Sequence, residues 1–300
     1  MPKRHLSPAE GRRIASSLHV AFLSGLLDAS VWQCADLAFQ GGTSLHLVWK
    51  SPRFSEDLDF LLNAEKKAAL QRAVRQIQRK VNEQAELLWP GSSVQVKTKE
   101  KPDGKLLTYH FTWTHPDVLG KVLTHMEFWQ VDAAQLAAYQ AVLKNFGSGQ
   151  AESFYATLAS QALIPAARPE AVYADKLHAL ATRGHLKWRD IFDIWYLRTH
   201  CHVPGVADQP DFLPLAQAVA SMYSDKFAQT WIPALKDFVA QPADDLVAAA
   251  EKGLQPWLPP ALWQMMWPVQ IQEMVALVQA EVAAAVQVLE QGLPPLEVQP

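Results

Sequence analysis

The sequence has little charge and no useful excess of either sign. Charged residues make up 19% of its 300 residues, and the formal net charge is -3. A global positive field for nucleic acid is thereby excluded, so any RNA site has to be a local basic patch. Cysteine is scarce: Cys34 and Cys201 stand apart with no CxxC spacing, which argues against a disulfide framework and for a reducing compartment. His200, Cys201 and His202 adjoin, but zinc ligands must converge from separate turns, so this reads as a loop after a helix. No uninterrupted apolar run reaches about 20 residues, and no small-residue cleavage site follows the apolar stretch Ile14 to Leu27. Neither a spanning helix nor a secretory signal is expected, and the expected location is the cytoplasm. Internal repeats and low-complexity tracts are missing as well.

What is present is enough apolar material, 49% of residues, to bury a core in one large or two smaller domains. Ser7-Pro8-Ala9-Glu10 has the pattern of a helix start, with a helix expected to about Leu27. Phe39-Gln40-Gly41-Gly42-Thr43 interrupts the pattern, and Ser44 to Trp49 reads as a turn or two of helix. Phe54 to Leu62 alternates as a strand, and Ala64 to Leu88 is a long helix. Ser93 to Thr98, Leu106 to Trp113 and Lys121 to Gln130 read as three more strands, with Pro102-Asp103-Gly104 as a turn. Past about Pro165 the strands stop; Glu170 to Arg183 and Lys187 to Thr199 are helical, and helices with many prolines follow. The expected fold is α+β: a small mixed sheet with flanking helices, then a helical C-terminal domain. Residues 1–165 are expected to form the catalytic domain, and residues 166–300 a helical domain that completes the nucleotide site and binds substrate or partner.

The chemistry concentrates in Gly41-Gly42-Thr43-Ser44-Leu45 and Arg53-Phe54-Ser55-Glu56-Asp57-Leu58-Asp59-Phe60. On a strand, Asp57 and Asp59 point to one face. Paired carboxylates repel each other and favour a shared hard cation such as Mg²⁺, which leaves room for phosphate oxygens. Leu58 and Phe60 would face the core. Gly41-Gly42 lets the backbone approach a phosphate, and amides at a following helix start receive anionic oxygens. The Thr43 and Ser44 hydroxyls would add donors. No Gly-Lys-Ser/Thr closes a Walker A loop, and no dinucleotide fingerprint is present. A two-metal site wants a third carboxylate. Glu127, embedded in a predicted strand between Met126 and Phe128, is preferred over Asp132 at the strand end, because a charge at that position needs a partner or a metal.

A second cluster runs from Tyr173-Ala174-Asp175-Lys176 through Arg183, Lys187, Arg189, Asp190 and Asp193. Lys176 and Arg183 fall on one helix face, and Arg189 and Asp193 are spaced to pair. The pattern suits two solvated helices or a cationic wall for a triphosphate. Two basic strips, one on these helices with Arg198 and one made by Arg72, Arg75, Arg79 and Lys80, would form an RNA groove if both flanked the metals. The aromatic segment Trp257 to Trp267 is expected to bury against the helices before it, under an amphipathic helix from Val269 to Leu289.

The stretch FQGGTSLHLVWKSPRFSEDLDF resembles the first motif of the AbiEii/AbiGii nucleotidyltransferase toxins of the DNA polymerase beta superfamily. YADKLHALATRGHLKWRDIFDIWYL is similar to a later Lys…Arg-Asp motif of the same family. The resemblance implies that Asp57 and Asp59 hold Mg²⁺, with two ions and Mn²⁺ as a substitute. It also implies that Gly41, Gly42, Thr43 and Arg53 belong to the nucleotide site and that Ser55 is an active-site serine. Lys176 and Arg189 would contact the nucleotide, and Asp190 would be a catalytic or positioning acid. Leu186 departs from the family, where some members carry a hydroxyl. The implied function is an Mg-dependent toxin of a toxin–antitoxin or phage-defence system. It would transfer NMP from an NTP to an RNA, with the tRNA 3′ end as the expected acceptor and an antitoxin as partner. A protein or small-molecule acceptor, or nucleotide binding without turnover, are the alternatives.

Overall fold

The computed structural model describes residues 3–147, 162–223 and 227–292, which fall into two compact units, Met1–Arg168 and Pro169–Pro300. The first unit opens with β1 (Arg4–His5) and α1 (Pro8–Ala29). Ser7 caps α1 through a reciprocal box: its hydroxyl accepts from the Glu10 amide at 3.2 Å, while Glu10 accepts from the Ser7 amide at 3.0 Å. Next come β2 (Leu37–Gln40), α2 (Gly41–Leu47), β3 (Leu58–Asn63) and, after a 3-10 turn at Ala64–Lys66, α3 (Lys67–Leu88). The unit continues with β4 (Ser93–Glu100), β5 (Leu106–Thr114), β6 (Val118–Leu119), β7 (Val122–Val131), α4 (Ala133–Ala138), β8 (Val142–Asn145) and β9 (Leu163–Ala166).

Seven strands form one mixed sheet in the order β4-β5-β7-β3-β2-β9-β8. β3 runs parallel to β7 and antiparallel to β2. The sheet is larger than the sequence suggests, because β2, β8 and β9 have only four residues each. Strand alternation divides its two faces. One face presents Phe39, Phe60, Phe128, Tyr109 and Phe111 to α1 and α3, whose Leu18, Phe22, Ile77 and Val81 complete a single core. Phe60 lies 4.9 Å from Phe39 and 4.7 Å from Phe128, ring centre to centre, and Phe22 of α1 lies 4.0 Å from Phe111. Truncating one of these rings to alanine would cost about 3–5 kcal/mol. The other face carries the polar residues of the same strands.

The second unit is helical: α5 (Pro169–Thr182), α6 (Trp188–Thr199), α7 (Phe212–Met222), α8 (Phe227–Val239), α9 (Ala243–Gly253), α10 (Pro260–Met266) and α11 (Val269–Gln291). α11 is long and apolar enough to cross a membrane by length and composition. Its Ile271, Met274, Val278, Val282 and Leu289 are nevertheless buried within the unit. Tyr173 of α5 donates to Glu281 of α11 at 2.8 Å, and Arg198 of α6 pairs with the same carboxylate at 2.9 Å, so one half-buried acid ties three helices. The aromatic segment is buried only in part. Leu258, Trp263 and Met266 are inside, whereas Met265 is exposed.

Candidate active site

The strand carrying the acidic pair starts at Leu58, later than the expected Phe54, because residues 51–57 run as an irregular loop. That loop folds back on α2. A Cβ on Gly42 would collide with the Arg53 guanidinium and would come within 2.9 Å of Ser55 Oγ, so glycine is what lets the loop close. Gly41 has φ +75°, and a Cβ there would run into the Asp59 carboxylate. The two glycines thus bring the start of α2 against Asp59 on one side and against Arg53 and Ser55 on the other. Gln40, at the N-cap of α2, provides no side-chain cap. Arg53 is buried and donates to the Phe54 carbonyl at 2.8 Å.

Backbone anchors hold Asp57. The Glu56 carbonyl lies 2.7 Å from His19 Nε2 and accepts from the Thr124 hydroxyl at 2.9 Å. The next carbonyl, that of Asp57, accepts from the Thr43 hydroxyl. Thr43 is fully buried with its hydroxyl turned to the Asp57 carbonyl, and Ser44 is buried beside it. The Thr43 hydroxyl thereby positions the Asp57 backbone, while Ser44 Oγ is buried with no hydrogen-bond partner among the described residues. What α2 still offers an anion is the set of amides in its first turn, which a helix leaves unbonded. Burial depresses the His19 imidazole to about 4, so it stays neutral. His19 and Thr124 had no signal in the sequence, since their contact spans more than a hundred residues.

Asp59 stands directly opposite Glu127 in the parallel β3–β7 ladder. Asp57, two residues before Asp59, lies with its Oδ1 3.3 Å from His125 Nδ1. The three carboxylates therefore share the polar face. Glu127 is half-buried, and burial first, then repulsion from Asp57, raises its carboxyl above the ordinary range. Asp132, the competing third acid, is the N-cap of α4 and accepts from the Gln135 amide at 2.8 Å. Among the described residues no three acidic, histidine or cysteine side chains converge as placed around a metal position. The donor set itself is three hard carboxylates, one of them, Asp59, lying directly against Gly41, which suits a hard divalent ion.

In the second unit, Lys176 lies between two buried acids, 3.1 Å from Asp190 and 2.8 Å from Asp193, and Arg183 pairs with Asp190. The Asp193 carboxylate thus salt-bridges Lys176 from the neighbouring helix. Arg189 lies over the Trp257 ring at 3.9 Å. Lys176 is mostly buried, so these are not two solvated helices. The basic strip on α3 is also not where the groove required it. α3 packs on the apolar face of the sheet, opposite the carboxylates. On α3, Arg79 pairs with Glu83, and Lys80 pairs with Asp28. A helix's sequence states which of its own faces is apolar, but not which side of a sheet it covers.

Residues 22–269 match a protein family described as nucleotidyl transferase AbiEii toxin, type IV toxin–antitoxin system. No curated protein matches the chain significantly. A Helicobacter pylori protein assigned as a nucleotidyltransferase superposes with a TM-score of 0.53 at 20% identity, covering 96% of this chain and all of that one. JHP933 from Helicobacter pylori gives a TM-score of 0.51 at 18% identity over 94% of both chains. MenT4, a nucleotidyltransferase toxin of Mycobacterium tuberculosis, gives 0.47 at 19% identity over 95% of this chain and 93% of that one. The two Helicobacter pylori structures share the fold.

Proposed function

The chain belongs to the AbiEii family of nucleotidyltransferase toxins of type IV toxin–antitoxin systems, and from that premise we propose that it transfers NMP from an NTP to an RNA 3′ end, tRNA foremost, with its sheet carboxylates as the reacting centre. The observation that carries this reading is the register pair Asp59–Glu127 with Asp57 beside it, set against the glycine-led start of α2. The RNA acceptor is supported by the resemblance of the two motifs set out above.

In the reaction, an acceptor hydroxyl oxygen bonds to the α-phosphorus, the bond from that phosphorus to the α–β bridging oxygen breaks, and pyrophosphate leaves with the electron pair. Asp57, Asp59 and Glu127 would hold two Mg²⁺ ions, or Mn²⁺ in their place; Asp57 would turn from His125 to do so. Bound ions would supply charge neutralisation at the phosphates. The first-turn amides of α2, at Gly41, Gly42 and Thr43, receive phosphate oxygens. Arg53 and Ser55 shape the loop around them. The acceptor hydroxyl's proton leaves to solvent as the new bond forms, and Glu127 would complete the carboxylate set that holds the ions beside that hydroxyl. Lys176 is the phosphate ligand proposed for the helical unit, with Asp190 and Asp193 fixing its ammonium in place, and Arg189 a further nucleotide contact. On this reading residues 1–165 are the catalytic domain, and the helical remainder contributes to binding NTP and substrate or partner.

The test is to incubate the protein with Mg²⁺, total RNA and each NTP labelled at the α- or the γ-phosphate. Label from the α position should enter RNA and label from the γ position should not. Label entering only protein or a small molecule would replace the RNA acceptor. Label entering RNA from the γ position would replace nucleotidyl by phosphoryl transfer.

A further inference from the structure

The polar face of the sheet continues past the carboxylates. The ladders align Asp59, Glu127, Thr108 and Lys99 in one row across β3, β7, β5 and β4. The next row holds His125, His110 and Lys97, with Asp57 at its end. Three strand spacings separate Lys99 from Asp59, roughly 14 Å. His110 and His125 meet edge to face at 4.4 Å. Trp129, two residues after Glu127 and so on the same face, is half-buried with the Lys101 ammonium 4.8 Å from its ring centre. Lys97 and Lys99 are exposed, and both flank the histidines rather than the apolar core.

This is a strip of three lysines and three flat rings leading away from three carboxylates on one face. Cations that follow a phosphate backbone, interleaved with rings on which bases stack, are the means by which proteins hold single strands without reading sequence. A duplex hides its base faces, so rings in the floor of the strip favour an unpaired end. The other basic strip of this unit, on α3, lies behind the sheet and cannot serve the same site.

We propose that β7, β5 and β4 form the acceptor track. The single-stranded 3′ end of an RNA crosses this face with its phosphates on Lys97 and Lys99 and its last bases against His110 and Trp129, bringing the terminal hydroxyl to Glu127 and Asp59. This rests on the reading that RNA is the acceptor.

The test uses the full chain and 5′-labelled total tRNA. Binding is measured at several salt concentrations for wild type, for Lys97→Glu/Lys99→Glu, for the milder Lys97→Gln/Lys99→Gln, and for Arg75→Glu/Arg79→Glu as control. Binding of a fluorescent NTP and the melting temperature are followed alongside. The lysine reversal should weaken tRNA binding at least tenfold, the glutamine pair by less, with NTP binding and melting as in wild type. Loss of two phosphate contacts should flatten the slope of log affinity against log salt by about 1.4. The α3 control should bind tRNA like wild type. If wild type binds and labels tRNA but both lysine variants match it, or if the α3 variant is the one that fails, the track is overturned and the RNA reading stands. If wild type neither binds nor labels RNA, both fall.

Discussion

Two regions of this chain gather acids and bases, and they treat charge in opposite ways. In the helical unit, Asp190 and Asp193 are buried with Lys176 between them, and the exposed Arg183 pairs with Asp190 from the surface, so the acids are matched by cations. On the sheet, Asp57, Asp59 and Glu127 share a face, and burial first, then Asp57, pushes the Glu127 carboxyl towards its protonated form. Matched charges stabilise a fold, whereas neighbouring carboxylates at a half-buried face work against it unless something else brings positive charge. The contrast is what favours the proposal that the sheet carries the chemistry while the helical unit holds Lys176 in a fixed position.

Substitutions separate the two. Asp59→Asn should reduce α-label transfer by roughly 10³-fold while the melting temperature holds, because the side chain keeps its size and the apolar face of the sheet is untouched. Activity assay and melting curve on the same sample check this. Lys176→Ala should do the reverse in stability: two buried aspartates lose a partner, a loss of about 3–5 kcal/mol by denaturant titration. Wild-type stability in that variant would erase the contrast between the regions. Gly41→Ala combines a strained positive φ, about 1–2 kcal/mol, with a push on Asp59, and misplacement of a reacting group lowers transfer by roughly 10²-fold.

A smaller effect is expected from acid. His19 has a folded value of about 4 against an ordinary 6.5, so the unfolded chain binds the extra proton between those limits. Stability from this group is complete above pH 6.5 and falls as pH drops towards 4, by about 2 kcal/mol at pH 5. His19→Gln should lessen the difference in unfolding free energy between pH 7.5 and pH 5; an undiminished difference would show that His19 takes up its proton without cost in the folded state. The smallest effect belongs to Arg75→Glu/Arg79→Glu, which should leave transfer within twofold, since α3 lies behind the sheet.

Much of the frame was legible because its signals are local. The Ser7–Glu10 box, the alternation in β4, β5 and β7, and the spacing of Asp57 and Asp59 each lie within a few residues. What escaped depends on distant partners. β2, β8 and β9 are too short to show a period, and β2 is a strand because β3 and β9 flank it. Residues 54–57 alternate like a strand, yet Arg53 draws them onto Gly42. His19 looked like one more helix residue until Glu56 and Thr124 met it. Glu127 was legible as a costly charge in a strand, but its register with Asp59 was not.

The most direct test is the number of divalent ions held by the sheet carboxylates. Mn²⁺ binding should be counted by titration in the presence of a non-hydrolysable NTP, for wild type, Asp57→Asn/Asp59→Asn and Asp193→Asn. The account predicts two ions for wild type, loss of both from the sheet variant, and retention in Asp193→Asn where that protein remains folded. Two ions still bound by Asp57→Asn/Asp59→Asn would contradict it.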